Sequence, residues 1–145
     1  MEKTNFTHEV TVAASAQQAF TALSRDLGIW WGNTHEGVTQ VGDTLVIGFE
    51  ENPEQWAFEA LELVEAKRVV LKCIAMEHRN GGFPGIVQDE WLDSLLIWDI
   101  SEEAAGTKVA FTHQGLTQGL TCYDVCHSAW ESYLNDTFVE YLRLN

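Results

Sequence analysis

The end of the chain, from Thr121 to Asn145, has apolar residues at steps of three and four, which is the spacing of one face of an α-helix. The apolar face consists of Val125, Cys126, Ala129, Trp130, Tyr133, Leu134, Thr137, Phe138, Tyr141 and Leu142. Thr121 and Asp124 form a T-x-x-D capping pattern at its start. We therefore predict one long amphipathic helix of about 30 Å, which needs a broad apolar surface to pack against.

The segments before this helix mostly alternate apolar and polar residues, as β-strands with one buried face do. We predict strands at residues 6–13, 45–49, 56–64, 68–75, 91–100 and 108–113, with an extra short strand near 37–41 as an option. Glu59 and Glu62 fall on opposite parities of one strand, which predicts a β-bulge or an edge position there. Short turns join the strands, so the sheet should be antiparallel.

Between the first two strands the pattern becomes helical. Ser15 and Gln18 form an S-x-x-Q capping box, which begins a short helix. A second helical turn contains Trp30 and Trp31, which we interpret as core residues because tryptophan is highly buried on average. The order β-α-α-β-β-β-β-β-α predicts an α+β fold, in which a curved antiparallel sheet wraps around one long C-terminal helix.

Composition narrows the class of protein. A chain of 145 residues fits one domain, residues 1–145. Its formal charge of −14 argues against binding to nucleic acids or anionic membranes, which are also negative. The sequence has no apolar run of membrane-spanning length and no secretion leader, so we expect a cytoplasmic protein. Three cysteines, an odd number, give no disulfide framework.

Four stretches of the chain resemble the START-like (SRPBCC) superfamily, and within it the heat-shock-protein-90 ATPase activator homologues. They are residues 14–23 with Trp30-Trp31, Asp89-Glu90-Trp91, residues 107–116, and Cys122-Tyr123-Asp124-Val125-Cys126 with Ala129-Trp130 and Tyr133-Leu134. The resemblance covers nearly the whole chain and implies the helix-grip fold. Proteins with this fold include lipid carriers, cyclases, hormone receptors and co-chaperones.

The resemblance also implies a cleft between the concave sheet and the closing helix. The residues with the parity to line it are Phe49, Phe58, Leu96, Trp98, Phe111, His113, Cys126, Trp130 and Tyr133. An apolar pocket with a few polar groups is the default binding site of such a domain. The alternative is that these aromatic side chains simply fill the cleft.

His113 is the main polar candidate, because it points inward on a strand whose inward face is otherwise apolar. An imidazole at this position can act as a general acid, as a general base or as a hydrogen-bonding anchor for a ligand. The alternative is a core histidine whose nitrogens are paired with a backbone carbonyl, Tyr123 or Tyr133. Cys122, Cys126 and His127 are zinc-type ligands, but His127 points about 100° away from Cys126 on a helix. We predict no metal and no cofactor.

The sequence contains none of the common catalytic motifs, so we assign no catalytic residues. We predict a non-enzymatic domain that binds a small hydrophobic or amphipathic ligand. One alternative is a protein-interaction module with a chaperone or a second copy as partner, which outward Trp91, Leu95 and Ile97 favour. The other alternative is a polyketide-cyclase-like enzyme that depends on His113.

Overall fold

The computed structural model describes residues 5–31, 37–49, 52–77, 93–117 and 123–144, with the backbone alone at 48–49, 52–55, 75–77 and 123–126. The strands in this part of the chain are β1 (Asn5–Val12), β2 (Thr44–Phe49), β3 (Asn52–Val64), β4 (Arg68–Glu77), β5 (Leu95–Glu103) and β6 (Gly106–Thr117). The helices are α1 (Ala16–Leu23), α2 (Leu27–Trp30), α3 (Tyr123–Ser132) and α4 (Val139–Leu144), with a π-helical segment (Tyr133–Phe138) between the last two. Together α3, the π-helical segment and α4 form the closing helix.

The strands form one curved, open sheet in the order β1-β6-β5-β4-β3-β2, and every neighbouring pair is antiparallel. Strands β2 to β6 lie side by side in chain order. Two or three residues separate β2 from β3, β3 from β4 and β5 from β6, as in antiparallel hairpins, whereas residues 78–94 separate β4 from β5. The first strand pairs with the last one, which places β1 at one edge and β2 at the other. The predicted α+β architecture is confirmed.

Strand β3 contains the predicted bulge. Ala60 pairs with Leu71 and Glu62 pairs with Val70, so that Leu61 is the extra residue. The insertion puts Glu59 and Glu62 on the same outer face although three positions separate them, because the alternation of faces restarts at Leu61.

Two local predictions are wrong. Residues 37–41 do not form a strand, because the Asp43 carboxylate accepts hydrogen bonds from the backbone N–H groups of Thr39 at 3.0 Å and Gln40 at 3.1 Å. The strand predicted from residue 91 begins at Leu95 among the described residues. Asp93 precedes it with a φ of +68°, which is not an extended conformation. Trp91 lies outside the described residues.

Helix α1 begins at the predicted capping box. The Gln18 N–H donates to Ser15 Oγ at 3.1 Å, and the Ser15 N–H donates to Gln18 Oε1 at 2.8 Å. Trp30 and Trp31 are buried, which confirms the core interpretation. The Trp30 indole N–H also donates to the Ala22 carbonyl at 2.6 Å, which fixes α2 against α1.

The closing helix is continuous, but its middle is π-helical rather than α-helical. Its buried residues recur strictly every fourth position: Trp130, Leu134, Phe138 and Leu142. In an α-helix each step of four residues overshoots a full turn by about 40°, so this stripe would rotate away from the sheet. Hydrogen bonds in a π-helix span five residues, which reduces the rotation per residue. The π-helical segment therefore keeps all four side chains on the buried side.

Candidate functional site

Five aromatic side chains meet between the sheet and the closing helix, and we call them the aromatic layer: Trp31, Phe58, Trp98, Phe111 and Trp130. Each is at most 2% exposed. The ring centroids of Phe111 and Trp130 are 4.5 Å apart, those of Trp31 and Trp130 4.8 Å, and those of Trp98 and Phe111 5.0 Å. Rings at such distances are in direct contact. The layer is therefore closed in this structure.

Most of the nine predicted site residues come together here. Phe58, Leu96, Trp98, Phe111, His113 and Trp130 are all at most 1% exposed. Tyr133 is half-buried at the side of the layer, with its ring 6.5 Å from Trp31 and 6.4 Å from Trp130. The side chains of Phe49 and Cys126 lie outside the described residues. The sequence pattern missed two contributors: Trp31, which we expected only in the general core, and Ser94.

Ser94, His113 and Trp130 form a buried chain of hydrogen bonds. His113 on β6 has its Nε2 atom 2.9 Å from Ser94 Oγ, and its Nδ1 atom accepts from the Trp130 indole N–H at 3.0 Å. Ser94 directly precedes β5, and its carbonyl accepts from the Cys73 N–H of β4 at 2.9 Å. The chain thus connects the sheet to helix α3. His113 is a paired core histidine, with Ser94 and Trp130 as partners among the described residues; the side chain of the predicted partner Tyr123 lies outside them.

The Trp130 contact fixes the protonation state of His113. An indole N–H only donates, so Nδ1 must carry a lone pair. A neutral imidazole then holds its proton on Nε2, which donates to the Ser94 hydroxyl. In a serine–histidine pair that activates a nucleophile, this nitrogen must instead accept the hydroxyl proton. His113 cannot act as the base for Ser94 in this arrangement.

Burial keeps the imidazole neutral. It lowers the pKa of His113 to about 3, because the charged form would lose its hydration inside the apolar core. A proton on Nδ1 would also replace the acceptor that the Trp130 N–H needs. His113 therefore works here as a neutral connector between two elements.

Gly115 makes room for this hydrogen-bond chain. It has a φ of +107°, and a Cβ atom at this position would lie 2.9 Å from the Cβ of Ser94. A separation under 3.0 Å requires one of the two residues to move. The absence of a side chain lets the end of β6 approach Ser94 closely.

Trp98 provides a different polar group. Its indole N–H is fully buried, and the described part of the chain offers it no hydrogen-bond acceptor. A buried donor without a partner costs about 1–3 kcal/mol, so such groups are uncommon in folded proteins. The N–H belongs to the ring that stacks on Phe111 in the aromatic layer.

A separate open groove of about 660 Å³ lies on the outside of the closing helix. Its lining residues are Ile29, Trp30, Asn135, Asp136, Thr137, Val139, Glu140, Tyr141 and Leu144. None of the nine predicted site residues is among them. This groove is a surface feature and not the predicted cleft.

Solved structures of other proteins share this architecture. The chain is similar to the Aha1 dimer from Colwellia psychrerythraea, with 22% identity over 91% of both chains and a TM-score of 0.71. It is also similar to protein MLL2253 from Mesorhizobium loti, with 13% identity over 96% of both chains and a TM-score of 0.72. DynU16, from the dynemicin biosynthetic locus, matches at 13% identity and a TM-score of 0.69, over 94% of this chain and 46% of its own.

These likenesses show the helix-grip fold, and together with the family match reported next they define a START-like (SRPBCC) protein. The family model described as "Activator of Hsp90 ATPase homolog 1-like protein" matches residues 13–143, which is most of the chain. The protein belongs to this family, as the sequence resemblance implied. No curated protein matches the sequence significantly. Within the described residues, no helix has both the length and the apolar character needed to cross a membrane.

Proposed function

We propose that this protein binds a small amphipathic molecule between its sheet and its closing helix, and that it catalyses no reaction there. The observation that carries the proposal is the Trp98 indole N–H, which is fully buried among aromatic rings with no acceptor in the described part of the chain. An oxygen atom of a bound molecule would recover the cost of this unpaired donor. The surrounding rings supply the apolar contacts that such a site needs.

Uptake requires the aromatic layer to open, because its rings contact one another directly. Tyr133 is half-buried and marks the side from which solvent reaches the layer. It is also the first residue of the π-helical segment, and such segments are frequent at functional sites. Outward movement of the closing helix at Tyr133 would expose Trp130 and the rings behind it.

The protonation of His113 supports the part of the proposal that concerns catalysis. The nitrogen that faces Ser94 carries a proton, so the pair lacks the base that hydroxyl activation requires. The depressed pKa of His113 also leaves no imidazolium at neutral pH to serve as a general acid.

Native mass spectrometry of freshly purified protein tests the binding function, together with thermal unfolding across a panel of apolar and amphipathic metabolites. We expect a small-molecule adduct, or an increase in melting temperature with some members of the panel. Hydrogen exchange in residues 123–144 should slow when such a compound is added. A bare protein mass and an unchanged melting temperature with every compound would overturn the proposal.

A second candidate function is contact with another protein, through the outer face of the sheet. Val70 and Ile97 are paired neighbours on this face, and Leu95 lies two residues before Ile97 on the same strand. Val70 is only 6% exposed, while Leu95 and Ile97 are half-buried. An apolar group on a solvated face commonly marks a partner surface. The similar Colwellia protein is a dimer, which favours a second copy over a chaperone.

Sedimentation equilibrium across a range of protein concentrations shows whether the chain binds a second copy of itself. Self-association should weaken in the Ile97→Lys variant, because the new charge would have to be buried in the contact. Val41→Lys is the matched control, since Val41 is 61% exposed in the turn before β2, away from this face. A monomer at all concentrations that also fails to bind a purified chaperone would exclude this candidate.

A further inference from the structure

We infer that the molecule bound in the aromatic layer is a neutral aromatic compound with a carbonyl-type oxygen, and not an ionised fatty acid or phosphate ester. This inference rests on the proposed binding function and specifies its ligand. Three features carry it: the buried Trp98 donor, which has no acceptor among the described residues, the position of the positive charges, and the geometry of the ring contacts.

The Trp98 indole N–H requires a hydrogen-bond acceptor on the ligand. The Trp98 indole N–H donates one hydrogen bond and accepts none. The indole N–H of Trp130, in the same layer, is already bonded to His113 Nδ1 at 3.0 Å. A ketone, quinone or ester oxygen can accept a hydrogen bond from the Trp98 N–H. A protonated amine cannot, because it is also only a donor.

The positive charges disfavour an anion. Six of the eight lysine and arginine residues lie in the described part of the chain, and none of the six is buried; Lys3 and Arg79 lie outside it. Five of them form ion pairs at the surface: Arg25 with Asp26, Arg68 with Glu62 and Asp99, Lys72 with Asp93, Lys108 with Glu9, and Arg143 with Glu140. A carboxylate or phosphate at Trp98 would therefore enter an apolar interior in which the described residues provide no counter-ion. His113 supplies none, because burial lowers its pKa to about 3.

The ring geometry favours a flat ligand. The rings of Trp98 and Phe111 are stacked, with their planes 29° apart and their centroids 5.0 Å apart. Trp130 stands nearly perpendicular to Trp98, at 75°. When the closing helix moves outward, a planar ring system replaces these contacts with stacked and edge contacts of the same kind.

Three probes of similar size test the inference at pH 7.5: methyl naphthalene-2-carboxylate, naphthalene-2-carboxylate and 2-propylnaphthalene. The first is neutral with a carbonyl, the second is an anion, and the third has no acceptor. Affinity is measured by isothermal titration calorimetry or by quenching of tryptophan fluorescence. We expect the ester to bind about tenfold more tightly than the hydrocarbon, as one recovered hydrogen bond predicts. The carboxylate should bind more weakly than the ester by at least the same factor.

The Trp98→Phe variant removes the donor and keeps an aromatic ring, so the preference for the ester over the hydrocarbon should disappear. Trp30→Phe is the control, because the Trp30 N–H already donates to the Ala22 carbonyl. In the unmodified protein, the indole N–H resonance of Trp98 should shift downfield with the ester and not with the hydrocarbon. This measurement does not depend on whether the Trp98→Phe variant folds.

Tighter binding of the carboxylate, equal binding of ester and hydrocarbon, or an ester preference that persists in Trp98→Phe would overturn the inference and leave the binding function intact. No binding by any probe, combined with a bare mass in the native spectrum, would overturn the binding function itself. If the spectrum shows a natural ligand, an ionised head group on it would overturn the inference.

Discussion

Two of the polar connections that hold the closing helix differ in almost every physical respect. The buried tether consists of Ser94, His113 and Trp130; its residues are neutral, and His113 is 0% exposed. The surface tether joins Arg25, Asp26 and Tyr141; the Tyr141 hydroxyl donates to Asp26 Oδ2 at 2.8 Å, and the Arg25 side chain is 68% exposed. One tether fixes the first half of the helix, and the other fixes its end.

The contrast shows that an ionic connection does not always hold a helix more firmly than a neutral one. Water competes for the groups of the surface tether, and exposed ion pairs contribute at most about 1 kcal/mol. Water hardly reaches the buried tether, so a broken contact there costs the desolvation of the remaining group. The neutral connection should therefore hold the helix more firmly than the ionic one.

The largest expected effect is that of His113→Ala. The substitution leaves the Trp130 N–H without its acceptor and creates a cavity beside Phe111, and together these should lower the free energy of unfolding by about 3–5 kcal/mol. Denaturant unfolding, followed by near-ultraviolet circular dichroism of the tryptophans, measures the change. A loss below about 1 kcal/mol would contradict the idea that the buried tether dominates.

Mild acid should weaken the buried tether without any substitution. The pKa of His113 is lowered from 6.5 to about 3 by burial, so the unfolded chain takes up a proton below pH 6.5 that the folded chain refuses. Stability is complete above that pH and falls as the pH decreases toward 3, by about 1.4 kcal/mol per pH unit.

Between pH 6.5 and 5 the expected loss is about 2 kcal/mol, measured by denaturant unfolding at each pH. This range lies above the titration of ordinary carboxylates, so the pH dependence there comes mainly from histidines. The His113→Gln variant keeps the other four, His8, His35, His78 and His127, but should lose most of the dependence. A similar slope in that variant would assign the effect to other groups.

Sequence reasoning reached the sheet, the helices and most of the aromatic layer because those depend on alternation and periodicity. It did not find Ser94 as the partner of His113, since that contact depends on register. The turn at Ala104-Ala105 makes Glu103 pair with Gly106 and Leu96 pair with His113, which places Ser94 diagonally across from the imidazole. If a two-residue turn is assumed at these alanines, the sequence predicts that Ser94 and His113 are neighbours.

The π-helical segment and the Trp98 N–H were harder to foresee. The strict four-residue spacing of Trp130, Leu134, Phe138 and Leu142 was visible in the sequence, and it is the one signal that favours a helix wound more loosely than an α-helix. The lack of an acceptor for the Trp98 N–H among the described residues has no counterpart in the sequence. It depends on which atoms the folded chain brings within 3.5 Å of one nitrogen.

A smaller effect is expected at Gly115, which supports the buried tether from β6. Gly115→Ala places a Cβ 2.9 Å from that of Ser94 and strains a backbone with a φ of +107°. The loss of unfolding free energy should be about 1–3 kcal/mol. Gly42→Ala is the matched control, because its φ is +96° and its Cβ would meet nothing within 4 Å. The difference between the variants measures the crowding of Ser94, and equal losses would show that there is none.

The smallest effect should come from the surface tether. Tyr141→Phe removes only the hydroxyl that donates to Asp26, and the unfolding free energy should fall by about 0.5 kcal/mol. The variant also reports on Asp26 directly. Partial burial raises the pKa of Asp26, but hydrogen bonds from Arg25 and Tyr141 outweigh burial and hold it below its ordinary value. Loss of the hydroxyl should therefore raise that pKa, which carboxyl NMR titration measures. A stability loss above about 2 kcal/mol would mean that the end of the helix is held as firmly as its beginning, and the contrast between the two tethers would disappear.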